Sequence, residues 1–220
     1  MVKKVLLAFF TFTLFWSCSK LSPKIAAPAY LEIDGYKVIT DSQTQGTNYQ
    51  KFTDVLITSS TTNYGYYPIP GKIPLPFNGN NYLIIRPVIE VNGVSALRVD
   101  YPLMKGCDTV LPLNGGGQLN KFRPTFKYFP NVNFRFKEDF EAASTSMVNS
   151  NSADTFGVKT DFSQHFNGGQ KCLLMQLDAN HTSCQAQSSY AFHLPNDGTS
   201  IYLEINYKCN TNFEVGLIGT

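Results

Sequence analysis

Cys18 has the most distinctive chemical context in the sequence. Lys3 and Lys4 precede an apolar run from Val5 to Trp16, and Ser17 lies directly before the cysteine. A positive region, an apolar region and a small residue in this order are typical of a secretory signal peptide. In a lipoprotein signal, the thiol of the cysteine accepts a diacylglycerol and its amine becomes the new N-terminus. We therefore expect lipid attachment at Cys18.

The residues beside Cys18 leave an alternative open. Phe15 and Trp16 are bulkier than the residues usual in such a signal, so an ordinary signal peptide with an incidental cysteine also fits. The apolar run would rise about 18 Å as a helix, which is too short to cross a hydrocarbon core of about 30 Å. We interpret residues 1–17 as a signal peptide and residues 18–27 as a tether.

The histidines and cysteines form no paired catalytic motif. The sequence has no Gly-x-Ser-x-Gly elbow, and His165, His181 and His193 lie among polar turns and strands. We therefore predict no catalytic residue and no enzyme. His181 and Cys184, with Cys172 and His193, form one cluster worth considering for zinc, but it lacks a Cys-x-x-Cys pair. Disulfide formation competes for the same thiols in an exported protein.

Cys172 and Cys184 are placed symmetrically about Asp178. A hairpin turning at Asp178-Ala179-Asn180 would set them opposite one another, and directly paired strand positions lie about 4.5 to 5.5 Å apart, within reach of a disulfide. We predict this disulfide. The alternative is two buried free cysteines.

Tyr64, Tyr66 and Tyr67 concentrate three aromatic rings in one short stretch. Rings with polar ends suit contacts with sugars or proteins, so these residues are candidate ligand contacts. Period-2 alternation, however, puts Tyr64 and Tyr66 on one face of a strand, where aromatic residues commonly fill a core. A ligand surface and a core position are the two interpretations.

The charge of the exported chain argues against two classes of partner. Loss of Lys3 and Lys4 with the signal peptide leaves 16 basic residues against 16 acidic residues. A neutral chain without a run of Lys and Arg is not suited to bind nucleic acid or to attach to anionic lipid by charge.

Alternating apolar and polar residues predict an all-β chain. Such runs lie at 29–38, 52–58, 82–91, 94–101, 109–113 and 121–128, with the spacing of a β-sandwich over residues 28–132. Asn92-Gly93 favours a hairpin turn, and 114–117 is a glycine-rich loop. Four prolines between positions 68 and 76 predict a sheet edge, because proline donates no ladder hydrogen bond.

Another β domain is predicted over residues 138–220. Its strands are expected at 171–177, 188–194, 199–207 and 213–218, with a turn at 196–198. Only about five or six strands fit, whereas a jelly roll uses about eight, and the last one has no following partner. We expect this jelly-roll-like domain to be incomplete, with the missing strands supplied by further chain or by a partner molecule.

Several motifs resemble those of uncharacterised two-domain, β-rich envelope lipoproteins of Gram-negative bacteria. They are PAYLEID (28–34), TQGTN (44–48), KFTDV (51–55), RPVIEVNG (86–93) and EDFE (138–141). The resemblance implies an architecture and a cell-envelope address, but no catalytic or binding residues. The N-terminal domain resembles the small sandwiches of other surface proteins, and the C-terminal domain resembles the start of a carbohydrate-binding jelly roll.

Glu138, Asp139 and Glu141 are the densest acidic cluster. The jelly-roll resemblance implies that such a cluster near the first strand can hold a structural Ca²⁺. A solvated charge cluster at the domain junction is the alternative. A glycosidase would need two carboxylates at a defined separation, which sequence neighbours rarely supply.

These features together predict a non-enzymatic, lipid-anchored protein of the outer membrane. It would act as a binding or structural module for a glycan or another envelope protein. The alternative is a glycan-active enzyme or an accessory subunit of a polysaccharide-processing system. Two carboxylates facing each other across a cleft would favour the enzyme, and a flat aromatic platform would favour binding.

Overall fold

The chain folds as an all-β protein. A computed structural model describes residues 27–77, 79–155, 157–161 and 169–219. Within these ranges the regular elements are strands and one 3-10 turn at Val91–Gly93, so the predicted all-β class is confirmed. The expectations for the signal peptide, Cys18, most of the tether and His165 fall outside the described residues. No helix of the described residues is long and apolar enough to cross a membrane.

Eleven strands form the first unit. They are β1 (Ala29–Ile33), β2 (Lys37–Ile39), β3 (Asp54–Thr58), β4 (Asn63–Pro68), β5 (Gly71–Leu75), β6 (Gly79–Glu90), β7 (Arg98–Asp100), β8 (Met104–Lys105), β9 (Cys107–Leu113), β10 (Leu119–Lys121) and β11 (Thr125–Tyr128). They make three sheets, with the orders β10-β1-β5, β2-β11-β8 and β4-β3-β6-β7, and β9 also pairs with β6. The β1–β10 and β2–β11 pairs are parallel.

One apolar core lies between these sheets. Alternate residues of β1 point into it, so Ala29, Leu31 and Ile33 are fully buried while the intervening positions are only partly buried. The core receives residues from all three sheets, including Ile57 of β3 and Phe126 of β11. Period-2 alternation is the pattern expected of strands that bury one face. The first unit therefore has the face-to-face packing of a β-sandwich.

Two turn predictions agree with the structure in their main point. Pro68 lies in β4 and Pro74 in β5, and both strands are at sheet edges, as predicted. Asn92 and Gly93 have φ values of 52° and 72°, in the left-handed region that these residue types tolerate. The hairpin loop between β6 and β7 is longer than the predicted two-residue turn. Val94 N–H first closes a turn on Val91 C=O, and Leu97 N–H then closes another one on Val94 C=O.

The C-terminal unit has less regular structure than the sequence predicts. Its described strands are β12 (Met147–Asn149), β13 (Val158–Asp161), β14 (Lys171–Leu174) and β15 (Ala186–Ser188), paired as β12–β15 and β13–β14. The predicted strand at 171–177 is present in shortened form. Of the strand predicted at 188–194, only Ser188 lies in a strand. The strands predicted at 199–207 and 213–218 are wrong, because no ladder joins these exposed segments to a described strand.

Candidate carboxylate-binding site

Two tyrosine hydroxyls and a glutamine amide meet at one end of the sandwich. Tyr128 is the last residue of β11 and Tyr101 follows β7, and each side chain is only 5% exposed. Gln50 lies in the loop before β3, where its Nε2 donates to Tyr128 Oη at 3.0 Å and to Thr47 C=O at 2.9 Å. We call Gln50, Tyr101 and Tyr128 the carboxylate clasp, after the group that they bind.

Aromatic packing fixes the two hydroxyls of the clasp. The Tyr101 ring packs against Phe52 at 5.8 Å between centroids, and the Tyr128 ring meets Phe134 edge to face at 4.9 Å. Edge-to-face and tilted arrangements at these distances are favourable because of the ring quadrupoles. These ring contacts restrict the directions in which the two hydroxyls can point.

The loop that carries Gln50 is fixed by a third tyrosine. The Tyr36 hydroxyl donates to Gln50 C=O at 2.8 Å and accepts from Phe52 N–H at 2.7 Å. Burial raises the pKa of Tyr36, so its hydroxyl keeps the proton that the first of these bonds uses. The role of Tyr36 is to hold the backbone on both sides of Lys51, and thereby the Gln50 side chain.

Glu204 supplies the carboxylate in the clasp. Tyr128 Oη lies 2.7 Å from both carboxylate oxygens, Tyr101 Oη donates to Oε1, and Gln50 Nε2 donates to Oε2 at 3.3 Å. Hydrogen bonds to an ionised acceptor are shorter and stronger than neutral ones. Burial, and then the bond to Glu204, raise the pKa of Tyr101 and Tyr128. Both phenols therefore stay protonated and act as donors.

One acceptor of the clasp has no partner. Gln50 Oε1 is buried and makes no hydrogen bond within the described residues. A buried polar atom without a partner costs about 1–3 kcal/mol. The clasp thus supplies hydrogen-bond donors to both oxygens of the carboxylate, but the amide oxygen of Gln50 itself receives no donor.

Glu204 belongs to an extended segment that lies along the sandwich. The Tyr202 ring meets Tyr101 edge to face at 5.4 Å, and Asn206 Nδ2 donates to Thr47 Oγ1 at 3.4 Å. Residues 202, 204 and 206 therefore face the sandwich. The alternate positions Ile201, Leu203, Ile205 and Tyr207 are 48%, 62%, 44% and 58% exposed.

The three tyrosines named as candidate ligand contacts do not share a surface. The β3–β4 ladder shifts register, pairing Ile57 with Gly65 and Thr58 with Asn63, so Tyr64 is the extra residue of a β-bulge. Tyr64 and Tyr67 both pack against the core, and only Tyr66 is exposed, at 44%. The bulge breaks the expected alternation of Tyr64 and Tyr66, and the core interpretation holds for Tyr64 and Tyr67.

The acidic cluster does not assemble a calcium site. Glu138 accepts hydrogen bonds from Phe140 N–H, Thr145 Oγ1 and Ser146 N–H. Burial acts to raise the pKa of Glu138, but these bonds together lower it. Asp139 accepts from Lys137 Nζ and Glu141 N–H.

Glu141 turns in a third direction. Its Oε1 accepts from the backbone N–H groups of Gln170 and Lys171. Each carboxylate of the cluster is thus taken up by local donors, and no group of three metal-binding side chains occurs in the described residues. The calcium expectation for Glu138, Asp139 and Glu141 is corrected accordingly.

The hairpin behind the predicted disulfide is absent. Asp178 and His181 do form the expected turn, with reciprocal backbone hydrogen bonds, but no ladder extends from it. Cys172 pairs instead with Thr160 of β13, and Cys184 bridges Thr155. Both cysteines are free thiols in the structure, and burial raises the pKa of each. The predicted register was therefore wrong.

The histidines and cysteines do not gather into a zinc cluster within the described residues. His181 Nδ1 lies 3.0 Å from the Asp178 carboxylate, which is an exposed contact inside the turn. No motif predicts the clasp or Glu204, because Glu204 lies 76 to 154 positions along the chain from the three clasp residues.

Comparison with family models, with curated proteins and with solved structures finds no match to this chain.

Proposed function

We propose that this chain is a lipid-anchored binding module of the cell envelope and that the carboxylate clasp is its ligand site. The proposal is carried by the buried pair of Tyr101 and Tyr128 hydroxyls, which keep their protons and donate hydrogen bonds to a carboxylate. Groups that hold protons in this way bind an anionic ligand without transferring a proton to it. This favours binding over chemistry.

The anchor in this proposal is the Cys18 lipid, in the outer membrane. Its support is the order of charged, apolar and small residues before Cys18. The first strand begins at Ala29, and residues 19–28 could span at most about 35 Å when fully extended. A tether of this length would let the sandwich reach ligands beyond the lipid headgroups.

The anchor is tested by metabolic labelling with a radioactive or alkyne-tagged fatty acid. We expect label in the parent protein and none in Cys18→Ala. Equal label in the two proteins would contradict the lipid anchor, while leaving the binding site untouched.

The binding role is tested with purified Cys18→Ala protein and isolated cell envelopes. A further Tyr101→Phe and Tyr128→Phe exchange removes both clasp hydroxyls and keeps both rings. We expect retention on envelopes to fall at least about tenfold, since each bond to a charged group contributes about 1.5–3 kcal/mol. Tyr66→Phe is the matched control, because it removes an exposed phenol outside the clasp. Equal retention of the clasp variant and the control would contradict the proposal.

A further inference from the structure

Three side chains at alternate positions attach the segment 199–207 to the sandwich. Tyr202 contacts the Tyr101 ring, Glu204 enters the clasp, and Asn206 reaches Thr47. Positions two apart in an extended chain project to the same side and lie about 6.6 to 6.8 Å apart. The sandwich therefore contacts an aromatic ring, a carboxylate and an amide along one edge of an extended peptide.

Side chains carry this attachment, and no β-ladder joins 199–207 to a strand in the described part of the chain. The outward positions Ile201, Leu203 and Ile205 are solvent-exposed, so packing on that side adds little to hold the segment. A segment held at three side chains can leave its site without unfolding the sandwich core, to which it contributes no buried residue.

We propose that the clasp recognises extended peptides with the pattern aromatic-x-acid-x-amide, and that Tyr202, Glu204 and Asn206 are an internal copy of that ligand. The internal copy occupies the site until a partner with the same pattern displaces it. This inference rests on the proposed function, in which the clasp is the ligand site.

The ligand class follows from the chemistry of each subsite. The donors of Tyr101, Tyr128 and Gln50 converge on both oxygens of one group, so they select a carboxylate, which accepts at both oxygens, over an amide, which accepts at only one. Because the Tyr202 ring packs edge to face against Tyr101, we expect a ligand peptide to carry an aromatic residue two positions before its acidic residue. Pockets for alternate side chains are a recurrent source of specificity when a β-sheet protein binds an extended peptide.

The internal segment competes with any external peptide. A tethered ligand acts at an effective concentration on the order of millimolar, so a partner in solution binds more weakly while the copy is in place. Removing the internal side chains should therefore open the clasp.

The test measures binding of a fluorescent peptide with the sequence of residues 199–207 to the full chain. The opened protein carries Tyr202→Ala and Glu204→Ala, two exposed positions outside the buried core, so the sandwich should stay folded although its melting temperature falls with the lost contacts. We expect the peptide to bind the opened protein at least about tenfold more tightly than the parent. A peptide with glutamine in place of its glutamate should bind the opened protein at least about tenfold more weakly, the factor given by one charge-assisted hydrogen bond.

Equal affinity of the glutamate and glutamine peptides, or equal affinity of the peptide for the parent and opened proteins, would overturn the inference. If the double variant does not fold, the single variant Glu204→Gln takes its place in the test, because glutamine has the same size and shape as glutamate. Loss of envelope retention in the clasp variant without peptide binding would overturn the ligand class alone. Peptide binding without clasp-dependent retention would overturn the proposed function.

Discussion

Removing the Tyr128 hydroxyl tests whether the clasp holds the segment in the folded protein. Tyr128→Phe keeps the ring that packs against Phe134 and deletes one oxygen. That oxygen lies 2.7 Å from both oxygens of Glu204 and accepts from Gln50 at 3.0 Å. Because Glu204 is at the surface, water replaces part of what it loses. We therefore expect a loss of about 1–2 kcal/mol, below the full value for a bond to a charged group.

The measurement is a double-mutant cycle on the free energy of unfolding. Tyr128→Phe, Glu204→Ala and the double variant are compared with the parent by urea unfolding, and thermal melting should show a fall of about 2 to 8 °C for Tyr128→Phe. Side chains in contact give coupling energies of about 0.5 kcal/mol or more. We expect that coupling here, and none between Tyr66→Phe and Glu204→Ala. A coupling below about 0.3 kcal/mol for the Tyr128 pair would refute the contact.

Three further predictions concern contacts that stabilise the fold. Glu138 has a lowered pKa, so it stabilises the fold above its unfolded pKa of about 4.3 and loses that contribution as the pH falls through its folded value. Glu138→Gln should therefore flatten the pH dependence of the melting temperature below about pH 5. An unchanged slope would contradict this. Gly106→Ala would set a Cβ 2.8 Å from a backbone carbonyl of β6 and should lower the free energy of unfolding in urea by about 1–3 kcal/mol. Gly35→Ala, whose Cβ would have no atom within 4 Å, should be nearly neutral. Similar losses in the two variants would contradict the close packing at Gly106. Arg98→Ala leaves the carboxylate of Asp54, only 5% exposed, without its guanidinium partner at 3.1 Å and should cost about 1–3 kcal/mol. The same Arg98→Ala exchange should cost less when it is made in the Asp54→Asn variant. An unchanged melting temperature in Arg98→Ala would show that the pair contributes nothing to stability.

Several strands of the sandwich could be predicted because they bury alternate residues in a shared core. Ala29, Leu31 and Ile33 show the required alternation in the sequence, and the same alternation is present in the burial of β1. The shared face predicted for Tyr64 and Tyr66 was wrong for a specific reason. One extra residue in β4 shifts every later position to the other face, and a bulge has no signature in the alternation itself.

The segment 199–207 shows a different limit of sequence patterns. Its alternation is real, since Tyr202 and Glu204 face the sandwich while Leu203 faces solvent. Alternation predicts which side chains share a face, but it does not say whether the backbone finds a partner strand. The clasp could not be predicted at all, because Gln50 and Tyr128 are brought together by the fold over 78 positions of chain.

The unpaired oxygen of Gln50 makes the internal segment an imperfect occupant. The Glu204 carboxylate contains only acceptors, so it cannot donate a hydrogen bond to the amide oxygen of Gln50. A visiting peptide with a hydroxyl or N–H group beside its acid would satisfy that oxygen as well as the three donors. Such a ligand would bind more tightly than the internal segment by the energy of one buried hydrogen bond. The internal segment would then exclude peptides that lack this donor, and a peptide that carries it would displace the segment.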